Sequence, residues 1–269
     1  MKMLLSVFLL ALSVGANATP RTAEEALGAM HDEALKQLID GNKRYVESKM
    51  NTCHESTAQL RTELAKGQKP FAIILSCSDS RVPPEIIFDK TLGELFVIRV
   101  AGNVVDPIIL GSIEYAVEHL KTSLIVVLGH EKCGAVTAAC QLKVKVKESK
   151  ESKESRGYEN SERKEGHASA EHGFDNISAI LSQISPAVAT VRRSSNKKDA
   201  EFVEEAIDEN VRLVATNLRR RSKIIAEEVK IGKVRIVQAK YDLDDGQVTF
   251  FNNPVAPVVH EIATKHHTP

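Results

Sequence analysis

Four short stretches of the chain are apolar at almost every position: Phe71–Ser76, Leu95–Val100, Ser123–Leu128 and Val234–Gln238. Such runs, rich in β-branched residues and without alternation, predict strands covered on both faces, as in a parallel sheet. Helical spacing separates several of them, notably over Gly111–Lys121 and over Ala200–Lys230. In the latter Val203, Ile207, Val211, Val214 and Leu218 share one face. Upstream, Thr22–Glu47 lacks proline and spaces Ala26, Met30, Leu35, Leu38, Ile39 and Tyr45 helically. That predicts one or two N-terminal helices, broken near Gly41. A further helical stretch near Ser56–Lys66 ends at Gly67 and Pro70. Tyr241–Gly246 reads as a turn leading into an edge strand that ends at Phe251. The alternation of strand and helix predicts an α/β fold with a mostly parallel central sheet flanked by helices and an N-terminal helical arm.

Two segments stand apart from this pattern. Residues 1–18 combine Lys2, an apolar run from Leu4 to Val14 and the small-x-small triplet Ala16-Asn17-Ala18. They read as a cleavable secretory signal, which places a mature domain at 19–269 in the periplasm or outside the cell. Lys143–Glu165 is rich in Lys, Glu and Ser with no recurring apolar position, and reads as a charged, solvated insertion loop.

Composition narrows the function classes. With 36 basic and 36 acidic residues the formal net charge is zero, so no field of one sign invites nucleic acid. At 42% hydrophobic and 27% charged the chain is globular in character. No internal run approaches the roughly 18 apolar residues of a membrane span, so stable membrane insertion is not expected. Four cysteines are too few and too scattered for a disulfide scaffold.

The chemistry gathers in two clusters, each directly after a predicted buried strand: Cys77-Ser78-Asp79-Ser80-Arg81 and Gly129-His130-Glu131-Lys132-Cys133-Gly134. In an open parallel sheet, ligands bind at the carboxyl ends of the strands, so both clusters point to one edge. Cys77, His130 and Cys133 there form a soft donor set suited to Zn²⁺, with Asp79 as a potential fourth ligand. Arg81 competes for Asp79 through a bidentate ion pair, which would leave a coordination position open for hydrolytic chemistry. Spacing alone leaves other readings standing: a structural zinc, or cysteines that are simply small buried hydrophobes. No glycine-rich phosphate loop follows the first strand, which argues against a nucleotide site.

At these residues the sequence resembles the β-class carbonic anhydrases, on Cys77–Val82 and Gly129–Gly134 together. The similarity continues through Pro83-Pro84-Glu85, Gly93–Val97, Arg99, Ala101-Gly102-Asn103, Gly111–Val117, Glu209-Asn210-Val211 and Tyr241-Asp242-Leu243. The resemblance implies one Zn²⁺ per chain on Cys77, His130 and Cys133, with Asp79 and Arg81 as a dyad in which Asp79 either ligates the metal or releases it. It implies reversible hydration of carbon dioxide to bicarbonate, with zinc-bound hydroxide as nucleophile, and a substrate pocket of Gln68, Phe96 and Tyr115. Ile74 stands where the branch with a closed, bicarbonate-inhibited site carries Trp, and the chain has no Trp. The plant-like, open-site branch is therefore expected. The resemblance also implies a homodimer or homotetramer in which Gln68, Phe96 or Tyr115 act across a subunit boundary. Two alternatives share the scaffold: a non-catalytic zinc protein that binds bicarbonate, and a hydrolase of carbon disulfide or carbonyl sulfide. Intact Asp79 and Arg81 argue against the first. Cys53 and Cys140 are spare, free to pair or to stay buried as thiols, the latter favoured.

Overall fold

The computed structural model describes residues 22–51, 57–142 and 176–251. The signal segment, Cys53 and the 143–165 insertion lie outside the described residues. In chain order the elements are α1 (Ala23–Val46), α2 (Ala58–Leu64), β1 (Ala72–Ser76), α3 (Pro84–Ile87), β2 (Leu95–Arg99), a 3₁₀ turn (Ala101–Asn103), α4 (Pro107–Glu118), β3 (Leu124–His130), α5 (Gly134–Gln141), α6 (Asn176–Ser194), α7 (Asp199–Arg221), α8 (Lys223–Lys230), β4 (Arg235–Tyr241) and β5 (Val248–Phe251).

The strands form one sheet in the order β2-β1-β3-β4-β5. All neighbours are parallel except β4 and β5, so the closing strand is the antiparallel edge. Every residue of β1 and β3 is buried, as their unbroken apolar runs require of strands covered on both sides. Ile74, Val126 and Leu128 face a core shared with Leu35 and Leu38 of α1, Val136 of α5 and Ile184 of α6. Ile73, Leu75, Ile125 and Val127 face the other core, with Ile113 of α4, Val211, Val214 and Leu218 of α7 and Ile225 of α8. Truncating one of these fully buried aliphatic side chains to alanine costs about 2–5 kcal/mol. Among the described residues, no helix is long and apolar enough to cross a membrane.

Three local outcomes differ from the periodicity. Gly41 does not break a helix, because α1 runs continuously past it. A β-carbon there would stand 1.9 Å from the Phe88 carbonyl oxygen, so the glycine exists for the close approach of α1 to the end of α3. Next to it, Asn42 is buried with its side chain fully used. Its Nδ2 donates to the Ile87 and Gly246 carbonyls at 3.2 and 2.9 Å, and its Oδ1 accepts from the Val248 amide at 2.8 Å. The single helix expected over Ala200–Lys230 is two, divided at Ser222 (φ −117°, ψ 119°). The Ser222 hydroxyl accepts from the Ile225 amide at 3.1 Å, which caps α8, and donates to Glu114 of α4. Finally, α6 is not anticipated from the sequence, although Leu181, Ile184, Val188 and Val191 are spaced helically and all buried. Pro186 stands inside it, a residue that counts against an interior helical position.

Candidate metal centre

Neighbouring strands bring the two clusters together. β1 and β3 run in parallel register with Ser76 opposite Leu128. β3 continues beyond the apolar run through Gly129, so His130 is itself a strand residue, paired with Tyr241 of β4. A β-carbon on Gly129 would lie 2.5 Å from Val211 Cγ2, so α7 packs directly on the strand that carries the histidine. Cys77 follows β1 immediately, and Cys133 is the N-cap residue of α5. Lys132, in the turn between His130 and Cys133, adopts φ +52°. A non-glycine residue there costs about 1–2 kcal/mol. Its amide donates to Glu204 at 2.9 Å and its ammonium pairs with Asp244 at 2.8 Å, contacts that hold the turn in this shape.

The ligand atoms of Cys77, His130 and Cys133 all lie within 4.8 Å of one another, and the three residues are 5%, 1% and 2% exposed. His130 Nδ1 lies 2.8 Å from the Glu131 carbonyl oxygen, which can only accept. Nδ1 therefore carries the proton, and Nε2 presents a lone pair. That Nε2 is buried and has no hydrogen-bond partner. An imidazole nitrogen kept dry beside two sulfurs is costly unless a cation takes its lone pair, so the residues fit a thiophilic metal such as Zn²⁺.

The electrostatics agree. The Cys133 thiol donates to Cys77 and draws Cys77 down to about 4 against the cost of burial, with help from His130 and the Gly102 amide. The same bond pushes Cys133 upward, reinforced by burial, while the amides of Val136 and Ala135 pull the other way. Burial alone would lower His130, but the neighbouring Cys77 outweighs it and the net shift is upward. Cys77 thus has thiolate character at neutral pH, the state that binds metal.

Asp79 stands beside this cluster. Arg81 grips both of its oxygens, Nε to Oδ1 at 2.9 Å and Nη2 to Oδ2 at 2.7 Å, and the Arg81 amide adds a bond of 3.0 Å to Oδ1. The Arg81 guanidinium holds the Asp79 carboxyl well below the usual carboxylate range. Of the two arrangements open to Asp79, the structure shows the ion pair. Its Oδ2 is 3.9 Å from His130 Nε2, which keeps it at the edge of the three-ligand cluster.

Several contributors carry no recognisable chemistry in the sequence. Arg99, level with Ser76 in the register, donates from Nε to the Cys77 carbonyl at 2.9 Å and from Nη2 to the Asp79 carbonyl. The Gly102 amide donates to Cys77 Sγ at 3.4 Å, and Asn210 Nδ2 donates to the Gly102 carbonyl at 2.9 Å. Backbone donors and braces of this kind have no residue-type signature. Only their position in blocks of family resemblance singled them out.

The residues expected to line the substrate pocket sit elsewhere in the single chain. Phe96 pairs with Ile73, four strand residues before Cys77, a separation of about 13 Å along the strand. Its ring lies 6.5 Å from that of Tyr115, which is 48% exposed, and Tyr115 in turn lies 5.0 Å from His119. Gln68 is exposed between α2 and β1. Cys140 is a half-buried free thiol whose burial pushes its pKa up.

The family model described as carbonic anhydrase matches residues 72–172 and 162–248 of the chain. Carbonic anhydrase 2 of Mycobacterium tuberculosis is 38% identical over 214 residues, covering 80% of this chain and 89% of that protein. The carbonic anhydrase of Mycolicibacterium smegmatis is 37% identical over 216 residues, covering 80% and 90%. Among solved structures, the β-carbonic anhydrase CcaA superposes with a TM-score of 0.58 at 24% identity, over 81% of this chain and 87% of that one. A structure described under tetrameric β-carbonic anhydrases of Sordaria macrospora gives 0.57 at 21%, over 82% and 98%. At those identities the likeness is one of fold.

Proposed function

Since the chain belongs to the carbonic anhydrase family, in its β class, we propose that it hydrates carbon dioxide reversibly with one Zn²⁺ held by Cys77, His130 and Cys133. The observation that carries this is the buried, unpartnered His130 Nε2, set within 4.8 Å of two thiols and next to a carboxylate immobilised by arginine. When bound, the metal supplies a Lewis acid that makes water nucleophilic near neutral pH. The protein does the rest. Arg81 keeps Asp79 ionised and occupied, so the carboxylate does not close the site as a fourth ligand. Asp79 Oδ1 is filled by two Arg81 donors, whereas Oδ2 takes one and retains acceptor capacity, so the carboxylate orients the attacking water by accepting its hydrogen bond there. Glu131 holds His130 in the tautomer that faces the cluster, and Arg99 fixes the loop that joins Cys77 to Asp79.

The substrate pocket belongs to an assembly. Phe96 and Tyr115 lie far along the sheet from Cys77 in one chain, and Tyr115 and Ile108 of α4 are 48% and 79% exposed. A homodimer or homotetramer that covers this patch would deliver Gln68, Phe96 and Tyr115 to a neighbouring subunit's metal centre. Ile74, fully buried in β1, and the absence of tryptophan support the open-site branch. Lys2, the apolar Leu4–Val14 run and Ala16-Asn17-Ala18 support export to the periplasm or beyond.

The test is zinc content and stopped-flow hydration of carbon dioxide by the chain from Thr19 onward, over roughly pH 6.5 to 9. One zinc per chain, with activity that rises with pH and is lost in Cys77→Ser, is expected. A chain that binds zinc without hydration at any pH would overturn the catalytic reading.

A further inference from the structure

Gly102 reaches the metal centre through its amide nitrogen, which donates to Cys77 Sγ at 3.4 Å. Its backbone is left-handed (φ 68°, ψ 16°), and a β-carbon would come within 2.7 Å of Ile184 Cδ1 and 3.2 Å of Ala135 Cβ. The space therefore requires glycine. Glycine is also the residue whose backbone is least constrained, so the direction of its amide is not set by its own chemistry. It is set from outside. Asn210, on α7 and 1% exposed, donates from Nδ2 to the Gly102 carbonyl at 2.9 Å. Its Oδ1 is buried without a hydrogen-bond partner. Packing alone would be better served by leucine at this position, since burying an unpartnered amide oxygen is unfavourable.

We propose that Asn210 is a positioning residue for the metal centre: by anchoring Gly102 it keeps an N–H aimed at the Cys77 sulfur and limits the charge which that thiolate gives the metal. The proposal rests on the reading of Cys77, His130 and Cys133 as ligands. Two thiolates donate more charge than imidazoles would, and so weaken the metal as a Lewis acid. An N–H directed at one sulfur stabilises its lone pairs and draws density back from the metal–sulfur bond. The relay Asn210–Gly102–Cys77 thus compensates for a thiolate-rich ligand set through a helix that supplies no ligand.

The test uses the full chain with cobalt(II) in place of zinc, read by its sulfur-to-cobalt charge-transfer absorption. Asn210→Leu should move that band to lower energy, because the sulfur becomes more electron-rich. Asn210→Gln, which keeps an amide donor, should restore part of the shift. A band unchanged in folded Asn210→Leu overturns the proposal, since a purely structural residue would lower stability without moving it. Failure of both variants to fold would also overturn it, by making Asn210 a structural residue only. In the wild-type chain loaded with NMR-active cadmium, scalar coupling between the metal and the Gly102 amide proton is expected, and its absence would remove the sulfur end of the relay. If wild-type protein takes up no cobalt with sulfur-ligand absorption, the metal reading itself fails, an outcome distinct from an unchanged band.

Discussion

The guanidinium of Arg99, at the end of β2, donates to the main-chain carbonyl of Asp79 and leaves the Asp79 carboxylate to Arg81. Two arginines thus divide one aspartate: the first fixes where its backbone is, the second what its side chain does. Because Arg99 also takes the Cys77 carbonyl, it spans the loop from ligand to dyad. Arg99→Met, which keeps length but not the donors, should weaken zinc affinity by about 10-fold and lower turnover while the sheet stays intact. Competition with a chelator and stopped-flow assays on the zinc-loaded variant would measure both. Wild-type values for each would show that the loop holds its own shape.

Asp79→Asn keeps the size of the side chain but removes the charge that Arg81 pairs with. Hydration should fall on the order of 100-fold, with zinc content unchanged. Loss of zinc in this variant would instead make Asp79 a ligand in the resting protein. Arg81→Ala should also lose turnover, because the freed carboxylate can turn to the metal. Full activity there would end the argument that the ion pair keeps the site open.

Gly41→Ala places a methyl group against the Phe88 carbonyl, a backbone atom that cannot swing aside. The expected loss is about 1–3 kcal/mol in urea unfolding. A neutral result would mean that α1 can slide on α3.

His31 offers a pH-dependent handle remote from the metal. It is 3% exposed, and burial pushes its pKa below the ordinary 6.5, against the opposing pull of the Lys233 carbonyl that its Nε2 meets at 3.2 Å. Arg235 lowers it further and Asp32 raises it. The unfolded chain therefore binds the proton more readily, so this contribution to stability is present above about pH 6.5 and is lost as pH falls toward the lower folded value. The slope from this one group is at most about 1.4 kcal/mol per pH unit. Denaturant unfolding of wild type and His31→Gln between pH 7.5 and 5.5 should show the steeper acid loss in wild type; parallel curves would contradict it.

Sequence periodicity located β1 in full and the apolar part of β3, because strands buried on both faces must be apolar at almost every position. It shortened β3 and β4, whose last residues leave the apolar run while the hydrogen-bond ladder continues to His130 and Tyr241. It read Ala200–Lys230 as one helix, because the apolar face continues across Ser222 while the break depends on one hydroxyl and its partners. The three-ligand cluster and the dyad were visible as residue types placed after strands. The Gly102 amide and the Arg99 grip were not, because a backbone donor can belong to any residue and an arginine on a strand gives no hint of which carbonyl it will meet.

The pairing of Ser76 with Leu128 has a kinetic consequence. The donors arrive on two stretches of chain separated by the whole β2–α4 unit, and they meet only once β1 and β3 have zipped together. Before that closure a chain presents His130 and Cys133 as a bidentate fragment and Cys77 as a remote thiol. Tight capture of a metal would therefore require that β1 and β3 have already paired, so loading is expected late in folding rather than at its start.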